Sequence, residues 1–395
     1  MLHIGFYASA ADGNLFILRH HSFIVYPLLY VDDIIITGNS PTFVSNIIKL
    51  LGNDFDLKGL GLLHYFLGLQ IDHTSTGLFV HQTKYASDLL KKFGMTNCKP
   101  CKTPCSPNHH LLPNDNPLLS DPKSYRSLVG ALQYLTFTRL DLSFAIQQAC
   151  QYMSNPTQND LQAAKRILRY LQGTLHFGIA FTPGPTSLSA YSDADWTEDP
   201  VDRHSITNIV VFLGNSPITW SAKKQCTVSR SSIEAEYHAL ASTAAKLYWI
   251  RMLLHDFGIF LPQHPLLWCD NVSALAMASN SVFRAQTKHI EVDYHFVREK
   301  VLRRDLLVKF ISTYDQLSNM FTKGLPSPRF HWLTSKLMWK FPIRLRGDKS
   351  SSEYSNHEEE EGSTIPTATP KTKTVSPVKV VKYKTRLKPN AIVSH

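Results

Sequence analysis

The chain has 395 residues, about two or three domains by length, and 43% of them are apolar, which excludes a chain that is mainly disordered. Lys and Arg number 41 against 31 Asp and Glu, a net charge of +10 that suits a polyanionic partner such as nucleic acid. The longest apolar run, Phe23 to Val31, is broken by Pro27 and too short for a membrane span, no basic leader precedes an apolar block at the N-terminus, and six cysteines in this length point to reduced thiols rather than a disulfide scaffold; neither a membrane partner nor a secretory signal is expected.

Composition divides the chain into residues 1–96, 97–182 and 187–346, followed by 348–395. Pro183-Gly184-Pro185 separates a helical region from a strand-rich one, and six prolines between Asn97 and Pro122 mark a weaker boundary. In the first block, Leu28 to Val31 and Ile34 to Thr37 flank Asp32-Asp33, a hairpin with two carboxylates at its tip. Tyr65 to Ile71 and Leu78 to Val80 frame a turn, and a short amphipathic helix follows from Tyr85 to Phe93. In the second block, Leu161, Ala164, Leu168 and Leu171 form an apolar helical stripe, with Thr157 as its N-cap and Gly173 as its stop.

The third block alternates strands and helices. Leu188 to Ser192 is a strand, and Asn208 to Leu213 pairs with Ile218 to Trp220 around Gly214-Asn215. Ser231-Ser232-Ile233-Glu234 reads as a capping box opening a long helix that ends at Gly258. Leu266 to Cys269 is a strand that runs into Asp270, Ile290 to Val301 is helical, and Leu306 to Ile311 is a last strand followed by a helix through Phe321. The residues from Asp348 on are Ser, Thr, Pro, Lys and Glu with few apolar anchors, and a disordered charged tail is expected there.

Phosphodiester hydrolysis is mainly a problem of charge. Two divalent cations held by three or four convergent carboxylates solve it, and Mg²⁺ takes oxygen ligands. The third block offers Asp193 at a strand end, Glu236 in the first turns of the long helix, Asp270 at the next strand end, and Glu291 and Asp293 near a later helix start. Any one of them read singly is a helix cap or a surface charge; the order strand-Asp, helix-Glu, strand-Asp, late acid is more specific.

Four segments, YSDADWTEDP, FLGNSPITWSAKKQCTVSRSSIEAEYHALA, LLWCDNVSALAMASN and TKHIEVDYHFVREKV, resemble the ribonuclease H domain of copia-type LTR retrotransposon polyproteins, continuously from Leu188 to about Leu337. That resemblance implies an α/β (α+β) fold with a ribonuclease H-like mixed five-stranded sheet and flanking helices. It implies Asp193, Glu236 and Asp270 as metal ligands. It also implies Glu291 as the fourth, with Asp293 as its competitor, and His289 as a proton handler, its alternative being a structural place on a basic loop with Arg284 and Lys288. The implied reaction is Mg²⁺-dependent cleavage, with Mn²⁺ as a substitute, of the RNA strand of an RNA·DNA hybrid. The alternative is a catalytically dead remnant that at most binds nucleic acid. Lys223, Lys224 and Arg230, with Arg284 and Lys288, would contact phosphates; a solvated basic loop is the plainer account of them. Association with other retroelement polyprotein products is a further expectation, and no compartment is assigned.

Tyr30-Val31-Asp32-Asp33 resembles the catalytic hairpin of a reverse transcriptase palm, and Gly61 to Gly68, Lys84-Tyr85 and Tyr125 to Leu132 resemble the segments that follow it. The implied layout is a partial palm at 1–96 and a helical thumb or connection at 97–182. Asp12 is the one acid before Tyr30 and does not match the motif of the third palm carboxylate. Loss of polymerase activity is therefore expected, with Asp32 and Asp33 vestigial. Family members carry Gly where this chain has Asn208, and Arg-Ser-Thr-Thr at Arg203 to Ile206; neither departure touches an expected metal ligand.

Cys98, Cys101 and Cys105 with His109-His110 lack the second half of a zinc-finger spacing, and an interdomain linker is expected. Trp196, Trp220, Trp249 and Trp268 read as core residues rather than stacking platforms. Lys165, Arg166 and Arg169 could follow a duplex backbone, but a solvent face accounts for them.

Overall fold

A computed structural model describes residues 4–107, 117–196, 203–279, 291–340 and 380–387. They fall into two units, one built on 13–63 with the last described strand, the other on 64–340. The first unit opens with β1 (Tyr7–Ala8), β2 (Phe16–His20), β3 (Phe23–Tyr30) and β4 (Asp33–Gly38), then α1 (Pro41–Asp54) and β5 (Phe55–Leu62). Tyr30 pairs with Asp33, so Val31 and Asp32 are the two hairpin residues. Val31 takes φ +50, a strained backbone for a β-branched residue, and is exposed. Ile34 and Ile36 point the other way, into a core with Val44, Ile47 and Leu51 of α1.

In the second unit, β6 (Tyr65–Phe66), β7 (Leu69–Thr74) and β8 (Gly77–His81) lead into α2 (Thr83–Lys92). A helical layer follows: α3 (Pro122–Leu135), α4 (Ser143–Gln151) and α5 (Gln158–Gly173). Thr157 caps α5 in a reciprocal box with Asp160, and the helix runs through Gly173 to a C-cap at Thr174. Next, β9 (Phe177–Phe181) pairs with β8. That pairing overturns the boundary expected near residue 96: the hairpin before it belongs with the second unit, because β9 supplies its third strand. Gly77 has φ +144, and a Cβ there would lie 2.0 Å from the Phe181 carbonyl oxygen, so only glycine admits this pairing.

The next sheet holds β10 (Leu188–Asp195), β11 (Ile206–Leu213), β12 (Ser216–Lys224), β13 (Leu266–Cys269) and β14 (Leu307–Phe310), in the order β12-β11-β10-β13-β14. β10, β11 and β12 run antiparallel, and β13 and β14 continue the sheet parallel to β10. β11 is buried on both sides: its apolar run Ile209 to Phe212 packs against helices on either face, and Thr207 and Asn208 before it are buried as well. Ile209 and Val211 pack with α6 (Ser232–Asp256), α7 (Val272–Ser279) and α8 (Glu291–Leu302). Val210 and Phe212 pack with α3, α4, α5 and α9 (Ser327–Leu337). The helix expected through Phe321 is only a 3₁₀ turn, Leu317–Phe321. β15 (Trp339–Lys340) closes on β9.

One buried polar network ties the helical layer together. Arg139 donates from Nε and Nη2 to the two Asp141 carboxylate oxygens at 2.9 and 2.7 Å, and from Nη1 to the Thr174 carbonyl at 3.0 Å. The Tyr170 hydroxyl donates to Asp141 Oδ2 at 2.7 Å. Burial, with the Asp141 charge second, holds the Tyr170 phenol well above its ordinary pKa.

The last described strand, β16 (Val381–Leu387), lies between β4 and β5 in the first unit's sheet. It corrects the expectation of disorder within 348–395. The pattern Val-Lys-Tyr-Lys has period two, and Val381 and Tyr383 join the first unit's core. No helix among the described residues is long and apolar enough to cross a membrane.

Candidate active site

Strand register places the two aspartates. Tyr191 of β10 lies opposite Trp268 of the parallel strand β13. Two residues beyond each stand Asp193 and Asp270, so both carboxylates leave the sheet at the carboxyl ends of neighbouring strands, where α/β sheets gather their sites. Glu236 comes from above, in the first turns of α6. The start of that helix is fixed by Ser231, whose Oγ accepts from the Glu234 backbone N–H at 3.2 Å. Glu234 does not complete the expected box on Ser231: its carboxylate accepts from the Arg230 N–H at 2.9 Å, one residue earlier.

The three acids meet. Asp193 and Glu236 are each 7% exposed and share a hydrogen bond, and the charge of Asp270 acts on both. One ligand atom each of Glu236, Cys269 and Asp270 lie within 4.8 Å of one another. Burial, and then the neighbouring acids, push the Glu236 carboxyl up to about 10; Asp193 shifts upward for the same reasons. Asp195, desolvated beside Asp193, rises to about 6. Glu236 Oε2 is buried and has no hydrogen-bond partner among the described residues.

This set fits a hard divalent cation. Its donors are carboxylate oxygens, their mutual repulsion would be relieved by positive charge, and Glu236 has an oxygen to spare. Cys269 is the exception in donor type. Burial pushes its thiol upward, so it stays protonated and serves as packing.

A segment that the sequence reading passed over completes the site. Thr313 donates its hydroxyl to Asp270 Oδ2 at 2.8 Å. Gln316, fully buried, donates to the Ser192 carbonyl at 2.9 Å. The Thr322 hydroxyl bonds Asp193, and Lys323 supplies nearby positive charge. The available signal was topological: β14 is parallel to β13, so the loop after it returns to the edge that carries Asp193 and Asp270.

The other expected residues lie on further elements or outside the described residues. Glu291 is exposed at the first position of α8. Asp293 pairs with His238 of α6, Oδ2 to Nδ1 at 2.5 Å. Lys223 and Lys224 lie in β12 rather than in a loop, opposite Thr207 and Ile206, and Arg230 is exposed before α6. Arg284, Lys288 and His289 lie outside the described residues, as do His109 and His110. Cys98, Cys101 and Cys105 form no joint metal-ligand group among the described residues. Trp196 and Trp249 are exposed, contrary to the core expectation, because their indole N–H groups reach backbone carbonyls at the surface. In the first unit, Asp32 is exposed and Asp33 is half-buried. Asn208, fully buried, is the cross-strand neighbour of Asp193 in β11.

Residues 2–107 match the family of reverse transcriptases (RNA-dependent DNA polymerases). Over 338 residues, 85% of its length, the chain is 46% identical to the retrovirus-related Pol polyprotein from transposon RE1 of Arabidopsis thaliana. Over 228 residues it is 47% identical to the uncharacterized mitochondrial protein AtMg00810 of Arabidopsis thaliana, covering 94% of that protein. The chain belongs to the copia-type retrotransposon Pol polyprotein family. It spans 23% of the RE1 polyprotein's length. Among solved structures, this copia-type chain is similar to LC11-RNase H1 (13% identity, 34% of this chain and 92% of that one, TM-score 0.28). It is also similar to a foamy viral protease-reverse transcriptase in complex with RNA/DNA hybrid (12% identity, 66% of this chain and 30% of that one, TM-score 0.37).

Proposed function

We propose that residues 187–340 form a ribonuclease H that hydrolyses the RNA strand of an RNA·DNA hybrid, with Mg²⁺ held by Asp193, Glu236 and Asp270. The observation that carries this reading is the convergence of three carboxylates at the ends of two parallel strands and one helix, at an electrostatic cost that folding alone does not explain. Divalent cations bound there would neutralise the scissile phosphate and activate a water. The chain's own residues set the geometry. Thr313 fixes the orientation of Asp270, Gln316 anchors the strand just before Asp193, and Lys323 offsets part of the local negative charge. The five-stranded sheet supports the reading, since both aspartates ride on adjacent central strands that packing holds rigid.

Incubation of the purified chain with a labelled hybrid and Mg²⁺, beside Asp193→Asn, tests it. Cleavage by the wild type and not by the variant supports the nuclease. Binding by both with cleavage by neither sinks it in favour of a remnant that holds nucleic acid. That second reading has one observation in its favour: Glu291 is exposed and Asp293 is taken up by His238, so neither is seen to supply a fourth carboxylate.

A further inference from the structure

The chain leaves β14 at Phe310 and makes a tight turn. The Asp315 N–H donates to the Ser312 carbonyl at 2.9 Å, and the Ser312 hydroxyl to Asp315 Oδ2 at 2.7 Å. Asn319 Nδ2 pins the Thr313 carbonyl at 2.9 Å. At the tip, Tyr314 is 64% exposed. The guanidinium of Arg329, from α9, lies 4.5 Å from the Tyr314 ring centroid and 4.4 Å from that of Trp332. Its Nη2 donates to the Tyr314 carbonyl, so the cation is held against both rings. The two rings are 5.3 Å apart, and Lys336 lies 5.8 Å from the Trp332 ring. Helix α9, SPRFHWLTSKL, holds no acid. The nearby carboxylate is Asp315, turned toward Ser312.

Position gives this cluster its meaning. Thr313, the residue before Tyr314, holds Asp270. Three carboxylates repel a polyanion, so a strand that approaches them needs cations and a stacking surface close by. We propose that Tyr314, Arg329, Trp332 and Lys336 form a platform that grips the nucleic-acid duplex beside the acid cluster, Tyr314 by packing its ring on a sugar and Arg329 and Lys336 by contacting phosphates. The assignment rests on the hybrid-cleavage reading for its substrate but not on cleavage for its test.

The experiment is fluorescence anisotropy of a labelled RNA·DNA hybrid with the full chain in EDTA, where no cleavage occurs. Tyr314→Ala is expected to weaken binding roughly tenfold, with Tyr314→Phe close to wild type. Lys336→Gln is expected to lower the slope of log affinity against log salt by about 0.9, the signature of one lost phosphate contact, which a purely structural role would not produce. Thermal melts of the same variants check that folding is intact, since neither substitution removes the Arg329 hydrogen bond to the turn. Tyr314→Ala binding as tightly as wild type, or an unchanged salt slope in Lys336→Gln, overturns the platform. A wild type that binds through these residues yet never cleaves sinks the nuclease reading and leaves the platform standing.

Discussion

Lys382, near the far end of the chain, places its Nζ 2.9 Å from Oδ2 of Asp33, the second carboxylate of the Tyr-Val-Asp-Asp hairpin. Both side chains are largely buried, at 13% and 18% exposure, and Asp33 Oδ1 has no hydrogen-bond partner among the described residues. The pair therefore neutralises a charge inside the sheet. Removing one partner leaves the other buried without compensation, which costs about 3 kcal/mol for a well-shielded pair and less where water reaches it. Lys382→Ala should lower the unfolding free energy by about 2 kcal/mol, and the double variant with Asp33→Asn should lose less than the sum. Strict additivity in that cycle would show that the two charges do not interact.

The same hairpin shows what the sequence could and could not convey. Alternation around Asp32-Asp33 was legible because period-two patterning survives any tertiary context. The insertion of β16 was not, since Val381 and Tyr383 stand inside a basic, proline-rich stretch whose average composition hides a four-residue alternation. In the second unit, Asp193, Glu236 and Asp270 were legible as a pattern of acids on alternating elements, and resemblance carried much of that reading. Thr313, Gln316 and Thr322 were not legible: hydroxyls and amides occur in every loop, and only the parallel pairing of β13 with β14 brings this loop to the acids. The pairing of Asp293 with His238 was not legible either, since the two residues are 55 positions apart and meet only where α6 and α8 pack.

Buried like charges give the acid cluster a thermodynamic signature. In a chelator, Asp193→Asn should be more stable than wild type by on the order of 1 kcal/mol, because one member of a desolvated, mutually repelling set is gone. With Mg²⁺ at about 100 times its dissociation constant the order should reverse, since binding would stabilise the wild type by roughly 2.7 kcal/mol and the variant by much less. Hybrid cleavage should fall by roughly a factor of 10² to 10³ in the variant, several kcal/mol of lost charge stabilisation. Parallel melting curves with and without Mg²⁺ check the first two statements; an equal Mg²⁺ shift in both proteins would remove the carboxylates from the cation site.

Thr313 reaches the acid cluster through its hydrogen bond to Asp270. Thr313→Val keeps the shape and deletes the 2.8 Å hydrogen bond. Partners of ligating carboxylates typically change metal affinity by about 10-fold to 100-fold when lost. We expect Thr313→Val to raise the Mg²⁺ concentration needed for half-maximal cleavage by about tenfold while the melting temperature in chelator stays put. A drop in maximal rate at saturating Mg²⁺, with the half-maximal concentration unchanged, would instead place Thr313 against the substrate.

Alkaline pH should expose the role of Tyr170. Its phenol donates to Asp141 inside the helical layer, and its pKa in the folded chain lies well above the ordinary 10, first through burial and then through the Asp141 charge. For a group whose folded pKa is raised, the stabilisation is whole below the unfolded value and disappears as pH climbs from about 10 toward the folded value. Wild type should therefore lose stability steadily above pH 10. Tyr170→Phe should start lower at pH 7, by about 1–3 kcal/mol for the lost donor to a buried carboxylate, and then fall less steeply above pH 10. Tyr125 and Tyr237, also raised by burial, keep part of the slope in the variant. Denaturant midpoints measured from pH 7 to 11 decide it: curves that stay parallel through the alkaline range would mean that Tyr170 ionises as freely in the folded chain as in the unfolded one, and that the Arg139–Asp141–Tyr170 network is not what holds α5 in place.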